Sequence, residues 1–204
     1  RSDMTIKSLQ STSLTNNVFY RSMLAGNDAF SPIPPSAYDH LETITLTTSA
    51  ASVTFSGLGA YSEYTHLQVR SSLRVVNAGL NGSKLTVNGD GAGNYNWHRL
   101  TSTGSSVAVS NGNQQTSMYP YYTMGSNGAT GYFSSAIIDF SDFSNPYKNL
   151  TVRSVNGVVD STANVRATYF ASGAWQNTSA VTSITFGGFV NYEVASSWSL
   201  YGVR

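Results

Sequence analysis

Apolar and polar residues alternate with a period of two along most of the chain beyond its N-terminal segment. In one long run Leu67, Val69 and Leu73 share a face, whereas Gln68 and Arg70 lie on the other. This alternation is typical of β-strands that bury one face. Runs of the same kind centre on Ile44, Phe55, Leu85 and Trp97 and cover 106–109, 114–122, 132–140, 148–155, 164–171, 180–186 and 193–203.

Glycine- and asparagine-containing turns separate these runs at intervals of roughly 8 to 14 residues, and no helix longer than about two turns is indicated. We therefore predict an all-β fold, a jelly-roll-like antiparallel β-sandwich over residues 38–204, preceded by an extended N-terminal arm. Two runs are apolar on both faces. The run 132–140 is expected to be a central strand packed on each side, and the run 193–203 must be tucked into a sheet or an interface.

The N-terminal segment 1–37 shows no alternation and ends in Phe30-Ser-Pro-Ile-Pro-Pro-Ser36, a run that breaks both helix and strand. Its apolar residues have too few neighbours in sequence to bury themselves. We interpret the segment as an arm that docks on a partner or a neighbouring subunit. The alternative is a strap across its own domain, or a first strand of the sheet. The candidate docking residues are Val18, Phe19, Tyr20, Met23, Leu24 and Phe30.

Charged residues make up only 10% of the 204 residues, against about 25% on average. Ser, Thr, Asn, Gly and Tyr take their place, which suits a protein packed against copies of itself or against other subunits. The formal net charge of +1 gives no electrostatic reason to expect nucleic acid or an anionic membrane as a partner. No apolar run is long enough to cross a bilayer as a helix.

The chain contains no cysteine, which excludes disulfides, thiolate catalysis and zinc–thiolate sites within it. Arg1-Ser-Asp-Met4-Thr-Ile-Lys lacks a signal-type apolar run and is read as soluble from synthesis. Met4 is a candidate initiator, with residues 1–3 a tag remnant or an upstream extension. Stability is expected to come from the apolar core, strand pairing and oligomerisation.

The histidines are His40, His66 and His98, and none stands at metal-ligand spacing from another ligand. Asp39 beside His40 forms a local acid–imidazole pair, but a catalytic triad also needs a serine placed in space. The chain has no Gly-x-Ser-x-Gly elbow, Walker loop or dinucleotide motif. We expect no bound metal, no cofactor and no enzymatic activity.

Two acidic features remain as candidates for chemistry. Asp139 and Asp142 are the closest pair that might flank a glycan-hydrolysing cleft, although a strand end followed by a turn explains them more simply. The loop Asn88-Gly-Asp90-Gly-Ala-Gly-Asn94 offers oxygens to calcium but lacks the acidic residues of a proper calcium loop. A hairpin turn is the favoured interpretation.

Aromatic clusters around Trp97, Tyr119 and Tyr121 stand beside amides, as in surfaces that stack on sugars. The same composition is found in subunit interfaces and in ordinary β cores. A carbohydrate-binding host-attachment module is therefore the alternative function, and it requires a solvent-exposed row of these three rings.

Several longer stretches resemble a family of uncharacterised virion structural proteins of tailed bacteriophages, of the tail, fibre or decoration type. They are Tyr20-Arg-Ser-Met-Leu-Ala-Gly-Asn27, Tyr64-Thr-His-Leu-Gln-Val-Arg70, Val87-Asn-Gly-Asp90 with Asn94-Tyr-Asn-Trp-His98, Ile138-Asp-Phe with Tyr147-Lys-Asn, the run 173–184 and Ser199-Leu-Tyr-Gly-Val-Arg204. The resemblance covers most of the chain and brings no catalytic residues with it.

The resemblance implies a structural subunit of the virion, either tail-associated or a capsid decoration protein. Its expected partners are other virion proteins and copies of itself, with a host surface glycan as a further candidate. Homotrimers are common among such β subunits, which is an analogy rather than a deduction.

Overall fold

The computed structural model describes residues 37–103, 106–126, 131–160 and 165–204. The six candidate docking residues of the arm, from Val18 to Phe30, lie outside the described residues.

The described part of the chain folds into β-strands and one short 3₁₀ helix, Leu58–Tyr61. The strands are β1 (Tyr38–Thr45), β2 (Ala50–Ser56), β3 (His66–Val75), β4 (Leu80–Val87), β5 (Tyr95–Ser102), β6 (Val107–Gln115), β7 (Tyr122–Gly125), β8 (Ser134–Ser141), β9 (Leu150–Asp160), β10 (Val165–Trp175), β11 (Ser183–Tyr192) and β12 (Ser197–Val203). The all-β prediction is confirmed.

Hydrogen bonding arranges the strands in two sets. A large sheet has the order β1-β12-β3-β8-β9-β10-β5-β6, and a smaller one has the order β2-β11-β4-β7. The end of β3 belongs to both, because Arg74 and Val75 leave β8 and pair with β7, while Val75 also pairs with Tyr192 of β11. All pairings between the described strands are antiparallel except β3 with β7.

The core lies between the two sheets. Phe186 of β11 is fully buried, and its ring meets Phe140 of the large sheet edge-on at a centroid distance of 6.4 Å. Leu85 of β4 and Leu67 of β3 belong to the same buried cluster. Two layers that share one apolar interior have the architecture of a sandwich and are compatible with a jelly roll.

The last strand is held on both edges. β12 pairs with β1 along one side and with β3 along the other, and its Trp198 and Leu200 are fully buried. The strand begins at Ser197 rather than at 193, because Ala195 adopts a left-handed backbone (φ 68°) in the turn that precedes it.

The predicted strands 106–109 and 114–122 form one strand, β6, followed by an irregular segment. Gln114 has a φ of 52° and lies where the pairing with β5 shifts register, between the pairs Trp97–Gly112 and Tyr95–Gln115. The chain then crosses to the small sheet, where the N–H of Met118 donates to the carbonyl of Leu85 at 3.0 Å. Pro120 has no N–H to donate, so it cannot continue a ladder.

The turn after β4 is confirmed, but it does not form a hairpin. Asn88 and Gly89 have φ angles of 53° and 66°, and the N–H of Asp90 donates to the carbonyl of Val87 at 2.9 Å. Such positive φ angles are why Asn-Gly suits this position. The strands that it joins belong to different sheets, because β4 pairs with β7 and β11 whereas β5 pairs with β6 and β10.

The prediction that 132–140 is packed on both faces is wrong for the single chain. β8 is central, between β3 and β9, and its Ala136, Ile138 and Phe140 are buried. Ile137 faces the other way and is exposed. No second layer in the described chain covers that face, which makes it the main surface of functional interest.

Candidate interface on the outer face of the large sheet

Five apolar side chains form a straight row across five neighbouring strands. Ile137 of β8 is paired with Val155 of β9, and Val155 with Phe170 of β10. Phe170 is paired in turn with Leu100 of β5, and Leu100 with Val109 of β6. We call these five residues the apolar row. At about 4.8 Å between strands, the row is about 19 Å long.

All members of the apolar row are open to solvent, with exposed fractions from 43% at Ile137 to 81% at Val109. Val107 and Val159, on the same face, are also more than half exposed. Single exposed apolar residues are common on protein surfaces, but a contiguous patch marks an interaction site. The register of the sheet therefore gathers into one patch residues that are scattered in sequence.

Small or hydroxylated side chains flank the row on one side, and a few charged ones flank it on the other. The register places Ser135, Gly157, Thr168 and Ser102 on the first side, and Asp139, Arg153, Ser172 and His98 on the second. Part of the row and its charged flank line a groove of about 520 Å³, which a partner surface would have to fill.

The charged groups beside the row are bound within the face itself. Gln68 donates from Nε2 to Asp139 Oδ1 at 2.8 Å, and the Arg153 guanidinium lies 3.9 Å from the same carboxylate. Gln68 also accepts a hydrogen bond from Arg70 Nε, and the Arg70 guanidinium lies 4.7 Å from the centroid of the Tyr201 ring. These contacts hold the charges beside the row, so that its centre stays apolar.

Buried polar contacts fix the register that turns Val155 outward. On the inner face of β9, Asn156 Oδ1 accepts the N–H of Tyr122 at 3.0 Å, and Asn156 Nδ2 donates to the carbonyl of Ser135 at 2.8 Å. Ser154 donates from its hydroxyl to the carbonyl of Pro120. A slip of one residue would bury Val155 and remove all three contacts, so the outward position of Val155 is specified by the fold.

The exposed aromatic row that a glycan site requires is not formed. Tyr121 is fully buried, and its hydroxyl lies 3.3 Å from both the Tyr192 hydroxyl and the Trp198 indole nitrogen. Trp97 is 8% exposed, and Tyr119 packs between Trp97 and Phe189 at centroid distances of 5.0 and 5.4 Å. Trp97 and Tyr121 belong to the core, and Tyr119 is partly buried against it, because the irregular segment after β6 folds under the sheet.

The acidic candidates for catalysis occupy different places. Asp139 borders the groove beside the apolar row, whereas Asp142 lies with Glu63 at another shallow pocket of about 340 Å³. Lys148 donates a hydrogen bond to Asp142, and this contact lowers the pKa of that carboxyl. A carboxyl held ionised is unsuited to donate a proton, as the acid of a glycoside hydrolase must.

The loop 88–94 uses its oxygens internally. The Asp90 carboxylate accepts hydrogen bonds from Asn94 Nδ2, from Trp175 Nε1 and from the N–H of Ala92, and these lower its pKa. Asn88 Oδ1 accepts the N–H groups of Thr182 and Ser183. The oxygens considered for calcium thus hold the loop together.

The histidines serve separate local contacts. His66 Nδ1 accepts the N–H of Asp142 at 2.9 Å, and His40 Nε2 lies 2.7 Å from the Thr43 hydroxyl. Asp39, next to His40 in sequence, instead accepts hydrogen bonds from Tyr64 and Arg204. Over the described ranges, no three His, Asp or Glu side chains come together in a way that could hold a metal ion.

Comparison with known proteins adds no identity: no family model, curated protein or solved structure matches the chain. Within the described residues, no helix has the length and apolar character needed to cross a membrane. The apolar row is therefore the feature on which a functional proposal rests.

Proposed function

We propose that the protein is a non-enzymatic structural subunit of a tailed bacteriophage virion. It is a tail-fibre, tail-associated or capsid decoration protein that self-associates and contacts other virion proteins. The observation that carries the proposal is the apolar row, whose five side chains lie exposed on the outer face of the large sheet. A contiguous apolar face of this kind belongs to a subunit that is covered in its assembly.

Composition supports the same conclusion. With 10% charged residues the chain lacks the charged surface that keeps freely diffusing domains apart. Serine, threonine and glycine on one side of the row let a neighbour pack there without burying unpaired charge. The stretches that resemble tailed-phage virion proteins supply the kind of assembly.

The arm has a separate role in this proposal. Its apolar residues Phe19, Tyr20, Met23 and Leu24 anchor the subunit to the particle, and the β domain is displayed outside. A segment of this composition cannot bury itself alone, and docking on a partner removes its apolar surface from water.

The direct test is to locate the protein in particles. Virions of the phage whose genome encodes the chain are purified, and quantitative mass spectrometry with antibody-labelled electron microscopy measures copy number and position. We expect a fixed number of copies on the tail or the capsid. Absence from purified, infectious particles would overturn the proposed function.

Removal of residues 1–30 tests the arm. We expect the truncated protein to keep the β-sheet circular dichroism and unfolding transition of the full chain but to be lost from particles. The matched control replaces Tyr147, an exposed ring of the β domain, by Ser and should be incorporated normally. Full incorporation of the truncated protein would exclude the arm as the anchor.

A further inference from the structure

We propose that two copies of the chain pair through the outer faces of their large sheets, with Val155 and Phe170 beside a two-fold axis. This inference rests on the proposed function, because it names one contact of the assembling subunit. The apolar row of one copy is then covered by the same face of a second copy.

The row is suited to meet itself. We place a two-fold axis between the two facing sheets, parallel to the strands and midway between β9 and β10. This axis puts β9 of one copy opposite β10 of the other, and β8 opposite β5. It sets Val155 of one copy against Phe170 of the other, and Ile137 against Leu100. Each contact joins an aliphatic side chain to another apolar one. An isologous interface of this kind needs a self-complementary patch, which the row provides.

The charged flank is complementary under the same operation. Asp139, Arg153, Ser172 and His98 follow one another along the register next to the row. The two-fold axis exchanges the first with the last, so that the Asp139 carboxylate of one copy faces His98 of its partner. Arg153 faces the small Ser172, so no like charges are opposed. The arrangement avoids the repulsion that would separate identical surfaces.

The end of the row also finds a partner. The same axis sets Val109 of β6 against Arg70 of β3, which is paired with Ile137. The Arg70 guanidinium lies over the rings of Tyr38 and Tyr201, 5.2 and 4.7 Å from their centroids. Because the guanidinium lies over these rings, the aliphatic part of the Arg70 side chain is what Val109 of the other copy contacts.

The available area matches what a stable pair needs. With the axis between β9 and β10, the six strands β3, β8, β9, β10, β5 and β6 face their counterparts. At about 4.8 Å each they span ~29 Å, and four outward positions per strand span ~20 Å, or roughly 580 Å² per copy. The pair then buries about 1,150 Å² in total, above the ~1,000 Å² that a specific interface needs. The row alone, at the centre of this area, supplies the apolar part, and the hydroxylated flanks form the rim.

Introduced cysteines test the pairing in the full chain, which has no cysteine of its own. Val155→Cys and Phe170→Cys variants are prepared separately, mixed and treated with a thiol-reactive bis-maleimide that spans about 10 Å, the distance between sheets packed face to face. We expect the mixture to give cross-linked dimer, because the axis sets these positions opposite each other, whereas a disulfide would need Cα atoms within about 7 Å. Val194→Cys, equally exposed but in the turn between β11 and β12, is the control and should not cross-link.

Mass measurement provides an independent readout. Sedimentation equilibrium of the unmodified chain should give about twice 21.8 kDa. Val155→Lys should weaken dimerisation by about 100-fold or more, since each pair then buries two unpaired charges. Val194→Lys should leave the mass unchanged. Circular dichroism and thermal unfolding confirm that both variants remain folded.

Three outcomes would overturn the inference: a monomer at all concentrations, a trimer, or cross-linking of the mixed pair no greater than that of Val194→Cys. One form of the first outcome is a monomer in which the N-terminal arm of the same chain covers the apolar row and protects it from chemical labelling. These outcomes are separate from the test of the proposed function. A chain found in virions but monomeric in solution overturns the pairing alone, and a dimer absent from virions overturns the virion role alone.

Discussion

The indole nitrogen of Trp175 donates a hydrogen bond to the Asp90 carboxylate across 2.7 Å. Trp175 is the last residue of β10 and is almost fully buried, whereas Asp90 belongs to the loop between the two sheets. The contact ties that loop to the large sheet. The same carboxylate accepts the N–H of Ala92 and the side chain of Asn94, so one acid organises the whole turn.

Replacement of Asp90 by Ala should therefore destabilise the domain. The Trp175 N–H would remain buried without its acceptor, which costs about 1–3 kcal/mol of unfolding free energy. Urea unfolding followed by tryptophan fluorescence measures the loss. Glu42→Gln, on an exposed position of β1, is the control and should change stability by less than ~0.5 kcal/mol. Equal stability of the two variants would contradict the assigned role of Asp90.

The Asp90 contact should also depend on pH. Hydrogen bonds from Asn94, Trp175 and the N–H of Ala92 lower the pKa of Asp90 below its ordinary value in the folded state. Its stabilisation is then present above the unfolded pKa and is lost as pH falls through the folded pKa. We expect the difference in unfolding free energy between the parent chain and Asp90→Asn to be constant above about pH 5 and to shrink below about pH 4. A difference that grows on acidification would exclude this explanation.

The local sequence pattern predicts where the strands lie but not which strands pair with each other. Alternation in the sequence predicts that Val155 and Ile137 occupy strands, and the Asn-Gly pair at 88 predicts a turn. The apolar row, however, depends on which strands are adjacent. β10 pairs with β5, some 70 residues earlier, and that register joins Phe170 to Leu100. Long-range pairing is decided by the packing of the whole core, which a single sequence does not display.

The burial of the aromatic side chains is the feature that the sequence predicts least well. Tyr121 and Trp97 have the same neighbours whether they form a core or a sugar-binding surface, because both environments favour aromatic side chains. Their burial follows from the irregular segment that begins after Gln115, where pairing with β5 ends and Met118 joins Leu85. A backbone irregularity of this kind has no periodic signal.

Burial of tyrosines should make the domain sensitive to high pH. Desolvation raises the pKa of Tyr95 to about 12 and that of Tyr121 well above its ordinary value. A group with a raised folded pKa stabilises the protein below its unfolded pKa, near 10, and that stabilisation is lost as pH rises towards the folded value. Unfolding free energy should therefore fall between about pH 10 and 12, with these phenols ionising as the protein unfolds.

Ultraviolet difference spectroscopy of the phenolate measures the ionisation of the tyrosines directly as the pH is raised. Tyr121→Phe should reduce by one the number of tyrosines that ionise only when the protein unfolds. Tyr147→Phe should instead reduce by one the number that ionise reversibly in the folded protein, because the Tyr147 ring is exposed. If Tyr121 ionises in the folded protein with the exposed rings, its burial is contradicted.

Gly125 offers a sharp test of the junction between β3, β4 and β7. A Cβ atom at this position would lie 2.2 Å from the carbonyl oxygen of Asn77 and 2.4 Å from that of Gly79. Both are backbone atoms, so they cannot turn aside as a side chain would. Gly125→Ala should therefore force the strand away from its partners and cost about 1–3 kcal/mol or more of unfolding free energy.

Gly59→Ala is the matched control for this substitution, because a Cβ atom there meets nothing within 4 Å and the backbone has no positive φ. It should be neutral or slightly stabilising, since alanine restricts the unfolded chain. Thermal unfolding of the two variants side by side measures the contrast. A Gly125→Ala protein as stable as Gly59→Ala would contradict the close approach of the three strands, and with it the way β3 passes from the large sheet into the small one.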